Sequence, residues 1–425
     1  MSNNIIKKLY LFILLIFSGG GSVYYANKYA YIILFLITCI IALLYKIKLN
    51  NSIINALIIW IIFWFMCSLI IRRFIPVQLL FYLNFLLAAY VLYKLYGNDL
   101  IKNISQDIVI LAAISIIGWL FLLLDATLLA SILKPFNFSG GFREEYGIYD
   151  YIHIGIYTIH NLTIKTEYAY LPRNAGFCWE PGIFSVFLVL ALFIRTSLLK
   201  KHLSSFSSII LVIALLTTQS TTGYIAFFIY LIYYYSSKII TLNLRYTIPL
   251  IIIVIIGVYS FINLEFMQSK VDFYIETGSH FGAYGTTPIL TGSRLSGLPL
   301  VWQDLKRNPI MGKALSSVGT YSGIGEIYST HLNSIFSIIS SMGLFGFWVW
   351  LLFLIKSTHY YCYIYHCKDI LSFPLIIITT SFGFNIHSQL IIFTMMSIGL
   401  FANTPKYINS NYQSKNMLYL KYIHN

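Results

Sequence analysis

Between Ile53 and Ile71 the chain carries no charged side chain, and runs of this kind recur along most of its length. A helix needs about 17–25 apolar residues to cross a bilayer core of ~30 Å. In lipid every backbone N–H and C=O must find its partner within the protein, so such a run can cross only as a helix or as part of a closed barrel. The runs predict spans near 9–26, 29–45, 53–71, 77–96, 108–130, 176–194, 205–219, 221–237, 246–262, 333–355, 371–384 and 387–402, about twelve in all. Composition agrees. The chain is 58% hydrophobic and only 10% charged, with a mean hydropathy of +0.77, whereas soluble domains carry roughly 25% charged residues. The expectation is an all-α integral membrane protein, a polytopic helical bundle forming a single domain over 1–425. Aromatic residues make up 17%, with 35 Tyr, as rings lining the two membrane interfaces would require. Lys7-Lys8 and the apolar run to Phe17 imitate a signal peptide. No small-x-small cleavage pattern follows, so an uncleaved first span is the better reading.

Two polar segments interrupt the pattern, 131–175 and 263–332. Neither can lie in hydrocarbon, so each must build structure at a membrane face. Short loops set the orientation. With the N-terminus inside, the short cytoplasmic segments hold sixteen Lys and Arg, from Lys7 and Lys8 through Lys421, against Lys28, Arg72 and Arg73 in the outer turns. Both termini are therefore expected in the cytoplasm, and both long loops outside. Arg72-Arg73 breaks the rule, which means either that the pair binds something anionic or that the early spans are displaced.

The net charge of +14 raises the question of nucleic acid. No basic run is long enough to follow a phosphate backbone, and in a membrane protein anionic lipid is the nearer partner. The five cysteines, Cys39, Cys67, Cys178, Cys362 and Cys367, sit mostly in or beside apolar runs. They show neither a disulfide framework nor zinc spacing, so no metal site and no cofactor is expected.

The residues with chemistry crowd the outer loops. In Arg173-Asn174-Ala175-Gly176-Phe177-Cys178-Trp179-Glu180-Pro181-Gly182, Gly176 permits an unusual backbone angle, and Pro181 suits the first turn of a helix, where its missing N–H is not needed. Arg173 and Glu180 are thereby held beside a helix N-terminus, which favours anions. They form either a salt bridge that pins the loop or part of a binding site. Downstream come Arg294, Trp302 and the turn Asn308-Pro309-Ile310-Met311-Gly312, and then His331 and Asn333 at the start of the 333–355 span. His331 is either a structural hydrogen-bonder or a base. Asp125, near the outer end of its span, calls for a neutralising neighbour or a water cavity. The tyrosine-rich first outer loop either simply solvates its face or stacks on sugar.

The order Arg173-x-x-Gly176-Phe177-x-x-Glu180-Pro181, Arg294…Trp302…Asn308-Pro309-Ile310-x-Gly312, His331-x-Asn333 resembles the O-antigen polymerase and O-antigen ligase superfamily. The likeness covers about Arg173 to Phe347. One departure is that Lys313-Ala314 follow Gly312, where the family usually has a further glycine. The resemblance implies glycosyl transfer at the outer face of the bacterial cytoplasmic membrane. An undecaprenyl-pyrophosphate-linked glycan would serve as donor, and no nucleotide sugar or metal would be used. On that reading Arg173 and Arg294 grip the pyrophosphate, since arginine's planar fork matches phosphate oxygens. His331 is the general base, with Glu180 the second choice or the orienter of an arginine. Trp302, Asn333, Arg72 and Arg73 complete a substrate-binding set. The Glu180-Pro181 form looks more like a polymerase, with a chain-length regulator as a further partner. A ligase acting on a lipopolysaccharide core is the alternative within the class, and a transporter or flippase of the same lipid-linked sugar the alternative outside it.

Overall fold

The computed structural model describes residues 2–20, 28–72, 74, 76–138, 151–160, 171–239, 301–302, 305–306, 308–315, 334–367 and 369–402. It is mostly helical (79%). The helices are α1 Ser2–Gly19, α2 Lys28–Leu44, α3 Asn51–Ile71, α4 Pro76–Tyr96, α5 Leu100–Leu124, α6 Ala126–Leu133, α7 Pro181–Phe193, α8 Phe206–Thr217, α9 Thr221–Ile239, α10 Ser334–Ile364, α11 Ser372–Gly383 and α12 Leu390–Phe401. Eleven of the predicted runs overlap a helix, with different bounds, and 246–262 lies outside the described residues. Among the described residues four helical stretches are long and apolar enough to cross a membrane: Asn51–Ile71, Gln78–Leu124, Pro181–Leu198 and Ser334–Ile364. The apolar helices Tyr29–Leu44, Ala126–Phe136, Phe206–Thr217, Ser372–Gly383 and Leu390–Phe401 are shorter.

The bundle has an inside and an outside. Every residue of α7 is buried, as expected of a helix that is apolar all round. By contrast only 22% of the α3 window is buried, and Ile58, Ile59, Ile62, Phe65 and Leu69 stand on its surface. An exposed apolar face of that extent is not one that water would tolerate. α12 runs through the middle, packed on α10, α4 and α1. Close approach depends on small residues. A Cβ on Gly399 would strike the Lys356 backbone, and the nearby Ser357 hydroxyl donates to Met396 O (2.6 Å) and accepts from Gly399 N–H (3.0 Å). α3 starts from Asn50, whose side chain accepts from Ile53 N–H, and ends at Arg72 in a left-handed conformation (φ 50°).

Two predicted spans are corrected. The run placed at 108–130 stops at Leu124, because Asp125 leaves the helical conformation and caps the separate α6. Its carboxylate accepts from Leu128 N–H (2.9 Å) and Thr127 Oγ1 (2.7 Å). No cavity is needed to account for this acid: it is exposed, and the Leu128 hydrogen bond holds its carboxyl below the usual carboxylate range. The span placed at 333–355 extends to Ile364 and is broken at Gly343 (φ 62°, ψ −158°). Within the first polar segment β1 Ile152–His153 and β2 Thr158–Ile159 form an antiparallel hairpin, with Ile152 opposite Ile159.

Candidate active site

The Arg173–Gly182 segment is fixed on every side. Asn174 is buried, and its amide donates to Ser115 Oγ (3.1 Å) on α5 and Thr217 Oγ1 (2.9 Å) on α8, while its Oδ1 accepts from Gly176 N–H (2.9 Å). Its backbone N–H reaches Thr217 O (2.9 Å). Arg173, half-buried, donates Nε–H to Thr218 O (3.2 Å), which sets the plane of its guanidinium. Trp119 Nε1 donates to Pro172 O (2.7 Å), and Trp179 N–H donates to Gly19 O (3.0 Å) at the end of α1. Tyr151, beside the hairpin, donates its hydroxyl to Trp179 O (3.1 Å). The expected backbone features are present. Gly176 has φ +55° with the Phe184 ring where a Cβ would stand, Glu180 is the N-cap, and Pro181 opens α7. Arg173 and Glu180 are thus presented from one rigid turn at the N-terminus of the most buried helix.

Four elements converge on this turn. Ser185 donates to Gly182 O (2.6 Å), and its Oγ lies within hydrogen-bond distance of Ser220 Oγ (3.2 Å), which joins α7 to the α8–α9 connection. The Phe384 ring, just after α11, fills the space where a Gly182 Cβ would lie. The Phe384 carbonyl accepts both from Ser334 N–H (3.2 Å) and from Ser334 Oγ (2.9 Å) at the start of α10. Ser334 Oγ in turn accepts from His387 N–H (3.2 Å). Since Ser334 directly follows Asn333, the first described residue after the His331-x-Asn333 motif is tied to the Glu180–Gly182 turn through one residue, Phe384, whose carbonyl holds Ser334 and whose ring covers Gly182.

The Asn308–Gly312 turn has a second structural task. It is wedged into the break in α10. Lys313 N–H donates to Ser340 O (2.7 Å) and Leu315 N–H to Ser341 O (2.8 Å), while Leu344 N–H donates to Pro309 O (2.9 Å) and Phe345 N–H to Ile310 O (3.1 Å). These four bonds satisfy the groups that the break would otherwise orphan, which is the condition for irregular backbone at membrane depth. Gly312 (φ +57°) and Gly343 (φ +62°) lie back to back, each where a Cβ would strike the other strand's backbone. After Gly312, Ala314 (φ 50°) and Leu315 (φ 63°) are also left-handed. The turn packs on Phe63, Trp64 and Cys67 of α3, five residues before Arg72.

Of the other expected site residues, Arg72 is exposed at the α3 C-terminus, where a cation suits the helix dipole. Trp302 is exposed, with the Lys306 ammonium 5.6 Å above its ring, while neighbouring Val301 is buried in the main core. Arg294, His331, Asn333 and Arg73 lie outside the described residues. Three residues that sequence reasoning passed over matter here: Asn174, Phe384 and His387. His387 is buried, and its Nδ1 has no hydrogen-bond partner among the described residues. Asn174 stood inside the quoted motif at an unmarked position, whereas nothing local distinguishes Phe384 or His387. No group of His, Cys, Asp and Glu suited to a metal occurs among the described residues. Comparison with protein-family models, curated proteins and solved structures finds no match to this chain.

Proposed function

We propose that this chain is a membrane glycosyltransferase that joins lipid-linked oligosaccharide repeat units at the outer face of the bacterial cytoplasmic membrane, building O-antigen, capsule or exopolysaccharide. The observation that supports the reading is the link from the Glu180–Gly182 turn through Phe384 to Ser334, the residue that follows His331-x-Asn333 in the sequence. In the reaction, an acceptor hydroxyl oxygen bonds to the anomeric carbon of the donor as the bond from that carbon to pyrophosphate breaks. Undecaprenyl pyrophosphate leaves with the electron pair, and the hydroxyl proton passes to His331. Arg173 and Arg294 stabilise the charge growing on the leaving group, because fixed cations placed where charge develops lower the barrier. Glu180 orients an arginine or replaces His331 as base. A ligase would use the same chemistry with a lipopolysaccharide core as acceptor.

A second reading, a transporter of the same lipid-linked sugar, is favoured by the break at Gly343, since discontinuous helices commonly build transporter sites. Mutation separates the two. Arg173→Ala and Arg294→Ala should each abolish polymer while single lipid-linked repeats persist at the outer surface, because losing one member of a desolvated charge pair costs about 2–5 kcal/mol. Lysine should rescue poorly, since it keeps the charge but not the fork. His331→Ala should recover part of its activity as pH rises. Long polymer accumulating on the carrier would identify a ligase instead. Repeats trapped on the inner face would identify the transporter.

A further inference from the structure

The end of α10 leads towards α11 through a bend that brings two thiols together. His366 is left-handed (φ 47°), and Cys367 N–H donates to Cys362 O (3.1 Å) across it. A closure of this kind, with one left-handed residue just before the donor, is the Schellman ending of a helix, and it turns the two residues it joins toward each other. An apolar pair commonly occupies those places. Here both are cysteines, half-buried and free. Each sulfur lies 4.0 Å from the same atom, Asp369 O, and Asp369 N–H donates to Cys367 Sγ (3.4 Å). The far side of the bend is anchored. The Asp369 carboxylate accepts from Ser372 N–H (3.1 Å) and Ser372 Oγ (2.5 Å) at the start of α11, and from Ser197 Oγ (3.0 Å) in the turn after α7. Both sulfurs therefore rest against one fixed carbonyl.

Burial, with the Asp369 carboxylate, raises the Cys367 thiol above its ordinary value, opposed by the Asp369 N–H and the Lys200 ammonium. The resting pair is therefore protonated and reacts slowly at neutral pH. On the orientation expected from the basic loops this end lies in the cytoplasm, where a disulfide is a transient, redox-sensing state. We propose that Cys362 and Cys367 are a reversible modification site, a dithiol that a small-molecule disulfide closes into an intramolecular bond. The Cys367 thiolate attacks one sulfur of the oxidant and displaces the other as a thiolate. The Cys362 thiolate then attacks the Cys367 sulfur of that mixed disulfide and displaces the second thiolate. The chain loses two electrons and two protons, and the oxidant becomes two thiols. The site is separate from the proposed reaction and stands whether or not the chain is a transferase.

Peptide mapping tests this on the unaltered protein, because trypsin cleavage after Lys356 and Lys368 leaves both cysteines, and no other, on one peptide. Full-length protein in mild detergent is equilibrated with mixtures of reduced and oxidised glutathione, quenched with acid, alkylated and digested. As the mixture becomes more oxidising, that peptide should appear two hydrogens lighter and unalkylated. The folded chain should reach half closure at a mixture at least about tenfold more reducing than chain unfolded in SDS and urea does, since a bond that fits the folded bend restrains only the unfolded chain. His366→Gly should keep that advantage, whereas His366→Pro, which cannot be left-handed, should remove it with both thiols intact. Cys362→Ser should stop at a glutathione adduct on Cys367. A wild-type peptide that stays doubly alkylated, or that ends as two glutathione adducts, would overturn the proposal. Equal closure of the folded and the unfolded chain would do the same, because the bend would then contribute nothing.

Discussion

Single residues decide whether the irregular parts of this bundle can exist. Gly312 and Gly343 are the clearest case, because each is left-handed and each would drive a Cβ into the partner's backbone. A side chain in that conformation costs roughly 1–2 kcal/mol before any clash is counted, and the obstacles here are carbonyl and amide atoms that cannot swing away. Gly343→Ala should therefore lower stability by more than about 2 kcal/mol, measured as a fall in the thermal midpoint of the detergent-solubilised protein. Gly97→Ala is the control. Gly97 is also left-handed (φ +54°), but a Cβ there meets nothing, so only the conformational cost should remain. Equal losses at the two positions would show that the wedge of the Asn308–Gly312 turn into α10 is not close-packed.

At the scale of an element, the hairpin β1–β2 carries its own pH sensor. His153 is buried, its Nδ1 lies 2.7 Å from Thr158 Oγ1, and burial pushes its pKa down from 6.5 to about 4. A histidine with a depressed folded pKa favours the folded state fully above 6.5, because only the unfolded chain takes up a proton as pH falls below that value. Stability is lost between about 6.5 and 4, by up to roughly 3 kcal/mol. Hydrogen exchange at Ile154 and Phe138, whose N–H groups bond Tyr157 O and His153 O, should accelerate across that window. His153→Gln should flatten the response. Because Tyr151 joins this region to Trp179, opening of the hairpin is expected to loosen the Arg173–Glu180 turn as well.

For the whole molecule the decisive question is which end of the bundle faces which compartment. The excess of basic residues in the short loops on one side predicts that reporters fused near Tyr157 and Tyr284 read extracytoplasmic, and those near Lys201 and Lys415 cytoplasmic. The helix order places the Arg173 turn, the Phe384 turn and the start of α10 at a common end. One cytoplasmic reading at Tyr157 would therefore move the whole candidate site to the wrong face for a flipped, lipid-linked substrate.

The positions of the helices were legible in the sequence, because an apolar run of spanning length leaves the backbone no alternative to pairing with itself. The Gly176 bend and the Pro181 start were legible too, since each depends on one residue's allowed angles. Asp125 was misjudged because a lone acid at the end of an apolar run looks the same whether it is neutralised or caps a new helix. The break at Gly343 was hidden for a different reason. A glycine among apolar residues does not announce a kink, and this one exists only because a turn some thirty residues earlier supplies the missing hydrogen bonds. The same holds for Asn174, which needs hydroxyls from α5 and α8, and for Phe384, which touches Gly182 and Ser334 at once. Local pattern fixes where the chain must be helical. Which buried polar groups satisfy one another across hundreds of residues is settled only when the helices pack.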